Sequence, residues 1–166
     1  MSRVVRFHRL GGPEVLQIEE IPERALKEGE LRVRMEAIGL NRAGQMYWAG
    51  VYLESPVLPS LNGYEASAIV MESGPGVSGF SVGEPISVVP SFSLKDYGVY
   101  GEVAVVPAYG VVKRPKGLTA VEAAAVWMAY ITAYGALIDI AKIGKGDAVI
   151  ITAASSSVGL AAIQIA

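Results

Sequence analysis

The chain has 166 residues, with 14 Lys and Arg against 16 Asp and Glu, a single His and no Cys, for a formal charge of −2; 52% of it is hydrophobic. Zero cysteine excludes disulfides, thiolate zinc sites, iron–sulfur clusters and cysteine nucleophiles, and one histidine, His8, excludes paired-His metal motifs. The apolar fraction is ample for a core, the near-neutral balance without basic clusters offers nucleic acid no footprint, and the length predicts one domain or one domain plus part of another.

The opening MSRVVRFHRL lacks the apolar run of a secretory signal, so the expected location is cytoplasmic. Up to about Pro115 the chain is rich in Val, Ile, Gly and Pro. Residues 4–7, 15–18 and 31–35 read as strands, separated by Gly11-Gly12-Pro13 and a charged turn at 27–30. His8 sits on the first of these and reads as structural. Residues 41–48 read as a short helix closing at Gly50. Strands follow at 66–71, 86–89 and 101–106, punctuated by Gly74-Pro75-Gly76 and Val82-Gly83-Glu84-Pro85. Many short strands with Gly/Pro turns predict a mainly β domain, a small barrel or sandwich, over 1–115.

A second regime fills 116–166. Thr119 and Glu122 have capping-box spacing, and the Ala-rich run to about Ala141 predicts one long, largely buried helix. Gly144-Lys145-Gly146-Asp147 is a turn. Residues 148–152 (AVIIT) predict a strand buried on both faces, followed by three serines and an apolar helix that reaches Ala166 without a cap. The charge-free length from Ala148 onward raises a membrane span, but Thr152, Ser155, Ser156, Ser157, Gly159 and Gln164 interrupt it and favour a strand–turn–helix. One strand and one helix do not make a parallel sheet, so residues beyond Ala166 or a second chain are expected to supply the missing faces.

Against the pattern G-x-G-x-x-G, the turn reads Ala154-Ser155-Ser156-Ser157-Val158-Gly159, keeping only the third glycine. Glycine count alone favours an ordinary β–α turn. The order strand, tight turn, helix N-terminus is nevertheless the one a dinucleotide pyrophosphate needs, and small side chains let the phosphates approach.

Six stretches in register, AIGLNRAG (37–44), LNGYEASAIV (61–70), GPGVSGFSVGEPISVV (74–89), YGEVAVVP (100–107), LTAVEAAAVWMAYITAYGAL (118–137) and GDAVIITAASSSVGLAAIQIA (146–166), resemble the medium-chain dehydrogenase/reductase superfamily, in its zinc-independent quinone-oxidoreductase branch. The resemblance implies a GroES-like β-barrel domain with short helices, followed by an incomplete α/β Rossmann segment. In zinc-dependent relatives the catalytic metal is held by Cys, His and Cys; the matching positions here are Asn41, Tyr64 and Met128, which bind Zn²⁺ poorly, so no metal is expected. The implied chemistry is hydride transfer from NADPH to a quinone or an α,β-unsaturated carbonyl. Asn41 and Tyr52 match polar positions of the quinone-reductase active site, and Tyr64 is a third candidate for the acceptor oxygen. Arg42 matches a position facing cofactor phosphates, and Thr132 one approaching the nicotinamide; with the turn residues Ala154, Ser155, Ser156, Ser157, Val158 and Gly159 these form the cofactor set. Gly44 departs from the Asp often found there.

Plainer roles compete at each position. Asn41 can simply cap the short helix, Tyr47, Trp48 and Tyr52 can form an apolar patch under a loop, and Thr132 can bond its own helix backbone. The resemblance also implies a homodimer with a small-molecule substrate and neither nucleic acid nor membrane as partner. The chain alone is expected to be inactive. A non-catalytic GroES-like binding module and a zinc-type alcohol dehydrogenase relative are the alternative readings.

Overall fold

Two-residue alternation sets the first long strand, β3 (Glu30–Ile38), in which Leu31 and Val33 are buried and Arg34 is exposed. We describe the chain from a computed structural model covering Met1–Ala166. It divides into two compact units, Met1–Ala125 and Val126–Ala166.

The first unit is mostly sheet. An antiparallel ribbon joins β1 (Ser2–Phe7) to β2 (Leu16–Ile21). A five-stranded antiparallel sheet runs in the order β6-β3-β4-β5-β7, with β4 (Ala66–Ser73), β5 (Pro85–Val88), β6 (Val103–Pro107) and β7 (Val111–Lys113). The ribbon is tied to this sheet's connections by bridges from Val4 to Gly101 and from Phe7 to Ser60. Register shifts at Arg32/Val33 and Met35/Ala37 mark bulges, which bend β3 as it leads toward α1 (Arg42–Trp48). Small residues at the start of β4, Ala66, Ser67 and Ala68, are all buried, letting covering elements approach both faces. The buried hydroxyls are satisfied: Ser67 Oγ donates to the Ile86 carbonyl and Ser87 Oγ to that of Ala123, each at 3.4 Å.

Several expectations need correction. The strand predicted at 101–106 starts at Val103, because Gly101 contributes only an isolated bridge. The short strand β7, pairing with β5, carries too few residues to show an alternation. His8 lies just beyond β1 and is half exposed, with its Nε2 paired to the Glu19 carboxylate.

The single long helix predicted after Thr119 is broken. The capping box forms as expected: Thr119 Oγ1 accepts the Glu122 N–H at 3.3 Å and Glu122 Oε2 accepts the Thr119 N–H at 2.8 Å. The helix it starts, α2 (Ala120–Ala123), ends after four residues and packs on β3 and β4, which carries the first unit beyond the composition change at Pro115.

In the second unit, α3 (Trp127–Tyr134) continues into a π-helical stretch, Gly135–Ile140. It packs against α4 (Ser157–Ile165) through Ala129, Ala133, Ala161 and Ala162, whose small side chains bring the two helices close. The strand predicted at 148–152 does not form: these residues pair with no other strand, and Ile150 is 94% exposed. A parallel strand draws its hydrogen bonds and its cover from neighbours, and none is present here. No helix of the chain is long and apolar enough to cross a membrane.

Candidate active site

The end of β3 leads straight into the site. Gly39 has no room for a side chain: a Cβ there would lie 2.3 Å from the Ala124 carbonyl oxygen and 2.4 Å from Glu65 Cγ. Its N–H donates to the Glu65 carbonyl at 3.0 Å, so residues 39 and 65 are held side by side. Asn41 occupies the N-cap position of α1 with extended backbone, yet its side chain makes no cap bond. Instead Asn41 Nδ2 donates to Glu65 Oε1 at 2.8 Å and lies 3.5 Å from the Gly39 carbonyl. Glu65 is 2% exposed and Asn41 half-buried, so the carboxylate lies beneath the amide.

The segment before β4 supplies Tyr64. Gly63 takes a left-handed backbone (φ +98°), and a Cβ there would stand 2.2 Å from the Tyr100 ring. Buried Asn62 steadies this bend, accepting the Gly63 N–H at 2.8 Å and donating to the Gly44 carbonyl at 3.3 Å. A Cβ on Gly44 would press on the Asn62 amide at 3.1 Å, so a side chain at that position requires Asn62 to shift. Tyr64 itself is buried, with its ring 6.1 Å from Tyr52 and 5.9 Å from Phe92. These belong to a run of aromatic contacts from Phe7 through Tyr47, Tyr52, Tyr64 and Phe92 to Tyr97. Tyr47 is fully buried within it, which fits the plain reading of that residue as packing.

The hydroxyl of Tyr64 donates to Glu54 Oε1 at 3.3 Å, and Ser93 Oγ donates to the other oxygen of the same carboxylate. Burial, then the Tyr52 hydroxyl and the Glu54 carboxylate, push the Tyr64 phenol well above its ordinary range, so it stays neutral and serves as a hydrogen-bond donor. Tyr100 is likewise pushed up by burial, with Glu65 adding to the shift and the Asn41 backbone N–H opposing it. The arrangement holds two phenols and an amide around buried and half-buried carboxylates. No group of three or more His, Cys, Asp or Glu side chains converges anywhere in the chain.

In the second unit, Ser156 caps α4, its Oγ accepting the Gly159 N–H at 3.0 Å. Gly159 is required there, since a Cβ would meet the Ala153 carbonyl oxygen at 2.5 Å. Ala154, Ser155 and Ser157 are exposed and Val158 is half-buried. Thr132 is exposed and its Oγ1 donates to the Met128 carbonyl at 2.6 Å, the back-bond of the plain reading. Arg42 is exposed at the first turn of α1.

Residues 27–116 match the alcohol dehydrogenase GroES-like domain family. The chain belongs to this family. Its mainly β first unit is the GroES-like domain. The chain is 33% identical to human quinone oxidoreductase over 167 aligned residues, which take in all of this chain and 50% of that protein. The crystal structure of human synaptic vesicle membrane protein VAT-1 homolog-like protein superposes with a TM-score of 0.91 at 31% identity, covering 99% of this chain and 52% of that one. Escherichia coli quinone oxidoreductase complexed with NADPH gives a TM-score of 0.85 at 30% identity, covering 98% of this chain and 48% of that one. The chain thus spans about half the length of the relatives it matches.

Within the GroES-like domain, the sequence pointed to Asn41, Tyr52 and Tyr64 as candidates but not to the partners that the structure places against Asn41 and Tyr64. Glu54 and Ser93 sit on connecting loops with no periodicity, and Asn62 is one polar residue among turn residues. Only the run Gly63-Tyr64-Glu65 beside a strand start signalled a built segment.

Proposed function

We propose that this chain is the acceptor-binding half of an NADPH-dependent, zinc-independent oxidoreductase that reduces quinones or α,β-unsaturated carbonyls. The observation that carries this reading is a set of neutral polar groups each held by a carboxylate: Asn41 on Glu65, and Tyr64 on Glu54 with its ring edge-on to Tyr52. The resemblance to quinone oxidoreductases, one of them solved with NADPH, supports the activity and the cofactor.

The positions that hold zinc in alcohol dehydrogenases carry an amide, a phenol and a thioether here (Asn41, Tyr64 and Met128), a donor set that does not fit Zn²⁺. Without a Lewis acid, the reaction suits an acceptor that is already electrophilic. Tyr52 donates a hydrogen bond to the oxygen on which charge develops, and Tyr64 joins it by turning its one O–H from Glu54 to that oxygen, while the surrounding rings Phe92 and Tyr47 exclude water. Because the Tyr64 phenol is held neutral, it stabilises by hydrogen bonding and does not act as a phenolate base.

The helix N-terminus at Ser157, with the small exposed residues Ala154, Ser155 and Ser157 and the close turn enforced by Gly159, suits a dinucleotide pyrophosphate. Ser156, Val158, Arg42 and Thr132 complete the proposed cofactor set. When bound, NADPH supplies the hydride. Homodimer formation and a domain boundary at 115/116 are part of the same proposal, and the 166-residue chain on its own is expected to be inactive. A second reading, a binding module without catalysis, draws on the internal engagement of the Asn41 and Tyr64 donors.

Titrating the protein that carries this chain with NADPH, following cofactor fluorescence, and then measuring NADPH oxidation with a simple naphthoquinone separates these readings. Saturable binding and turnover, with Y64F lowering kcat/KM by about tenfold or more, support the oxidoreductase. Absence of NADPH binding supports the module.

A further inference from the structure

The polarity of Asn41 toward a ligand is set by the groups that stand behind it. A side-chain amide offers two N–H donors and one oxygen acceptor, whereas a carboxylate only accepts. Glu65 Oε1 lies 2.8 Å from one amide group of Asn41, and the Gly39 carbonyl, also an acceptor, lies 3.5 Å from the same group. Two acceptors on one side fix the nitrogen there and leave Oδ1 on the other. Glu65 is 2% exposed and its backbone is bonded to Gly39, so the carboxylate is not free to swing aside.

No protein donor engages Oδ1, and it is not sealed off, in contrast to Gln45 Oε1 on the same helix, which is buried without a partner. Beside it Leu40 exposes 82% of its surface, so an unengaged acceptor stands next to an uncovered apolar side chain.

We infer that Glu65 is a positioning residue that makes Asn41 a hydrogen-bond acceptor, so that the site takes a ligand bringing a neutral hydroxyl to Asn41 Oδ1. The inference rests on the proposed function and names the form of ligand the site prefers. A quinone has only acceptor oxygens, whereas the hydroquinone formed from it has two O–H donors. Asn41 therefore reads the reduced ligand, and the oxygen that gathers charge during reduction is served by the phenols and not by Asn41, whose Oδ1 repels it. A buried or half-buried acceptor left without its donor costs enough to discriminate about tenfold between otherwise similar ligands.

The test has two parts on the protein that carries this chain. In ¹⁵N-resolved NMR spectra the Asn41 side-chain amide is expected to show one strongly downfield proton, which moves back in E65Q while backbone resonances of the sheet stay in place. An Asn41 amide with ordinary shifts, unaltered by E65Q, overturns the inference without touching the proposed reaction. Ligand titrations then use hydroquinone, its dimethyl ether and duroquinone as probes. Hydroquinone is expected to bind about tenfold more tightly than the ether, with the ratio near one in N41L. The ratio should also fall in E65Q, where an amide in place of the carboxylate can donate as well as accept and so lets the Asn41 amide reverse. Equal binding of hydroquinone and ether, or tighter binding of duroquinone at Asn41, overturns the inference and leaves the function standing. Failure of all three probes to shift resonances of Asn41, Tyr52 or Tyr64 overturns both.

Discussion

Replacing Glu30 by Gln tests whether the loop that carries Tyr97 and Tyr100 is fixed electrostatically. Glu30 is 2% exposed and accepts four hydrogen bonds: two from the Arg24 guanidinium at 2.7 Å, one from the Lys27 N–H at 2.7 Å and one from the Tyr97 hydroxyl at 3.1 Å. The Arg24 bonds, helped by Lys27 and Tyr97 and opposed by burial, lower its carboxyl from 4.5 to about 2. At about 1.4 kcal/mol per tenfold change in proton affinity, that displacement corresponds to about 3 kcal/mol. Arg24 is 43% exposed, so solvent screening brings the expected contribution to about 2 kcal/mol. Because the folded carboxyl is the stronger acid, this stability is fully present above the unfolded value of 4.5 and is lost as pH falls toward about 2. Urea unfolding of the parent chain and E30Q, at several pH values between about 7 and 3, reads the difference. The gap should be about 2 kcal/mol at pH 7, hold to about pH 5 and narrow below that, since protonated Glu30 resembles Gln. A gap that does not change with pH, or one below about 0.5 kcal/mol at pH 7, refutes the electrostatic origin.

Gly63→Ala should destabilise the first unit by about 2–4 kcal/mol, from its left-handed backbone and the clash with the Tyr100 ring, as a fall in thermal midpoint. Thr119→Ala removes one half of the capping box and should cost about 1 kcal/mol in denaturant unfolding, with little change in the sheet. Gly159→Val drives a side chain into the Ala153 carbonyl, and the expected result is loss of α4 helicity by circular dichroism. An unchanged spectrum would show that the turn at Ala153 is not held as described.

The short strands were legible because runs rich in Val, Ile and Leu stand between glycine and proline turns; inside–outside alternation is clear along part of β3, whereas β6 is apolar throughout and Ile18 of β2 is 76% exposed. The capping box was legible because its two residues are local. The fate of the Ala-rich run after it was not: whether that run continues as one helix depends on α2 docking on β3 and β4, a long-range contact that no spacing reveals. Residues 148–152 carry a strand's composition, yet a parallel strand exists only with neighbours. At the site, residue identity pointed to Asn41, Tyr52 and Tyr64. Their roles depend on Glu65 and Glu54, which lie 24 and 10 residues away from Asn41 and Tyr64 respectively and meet them only through the fold.

Metal analysis combined with a two-substrate assay, on the protein that carries this chain, tests most directly the proposal that neutral side chains here do the work that zinc does in alcohol dehydrogenases. The expected result is NADPH-dependent reduction of a naphthoquinone that survives exhaustive chelation, with substoichiometric zinc and no oxidation of simple alcohols by NADP⁺. Stoichiometric zinc, with activity toward alcohols that disappears on chelation and returns when zinc is restored, would contradict it.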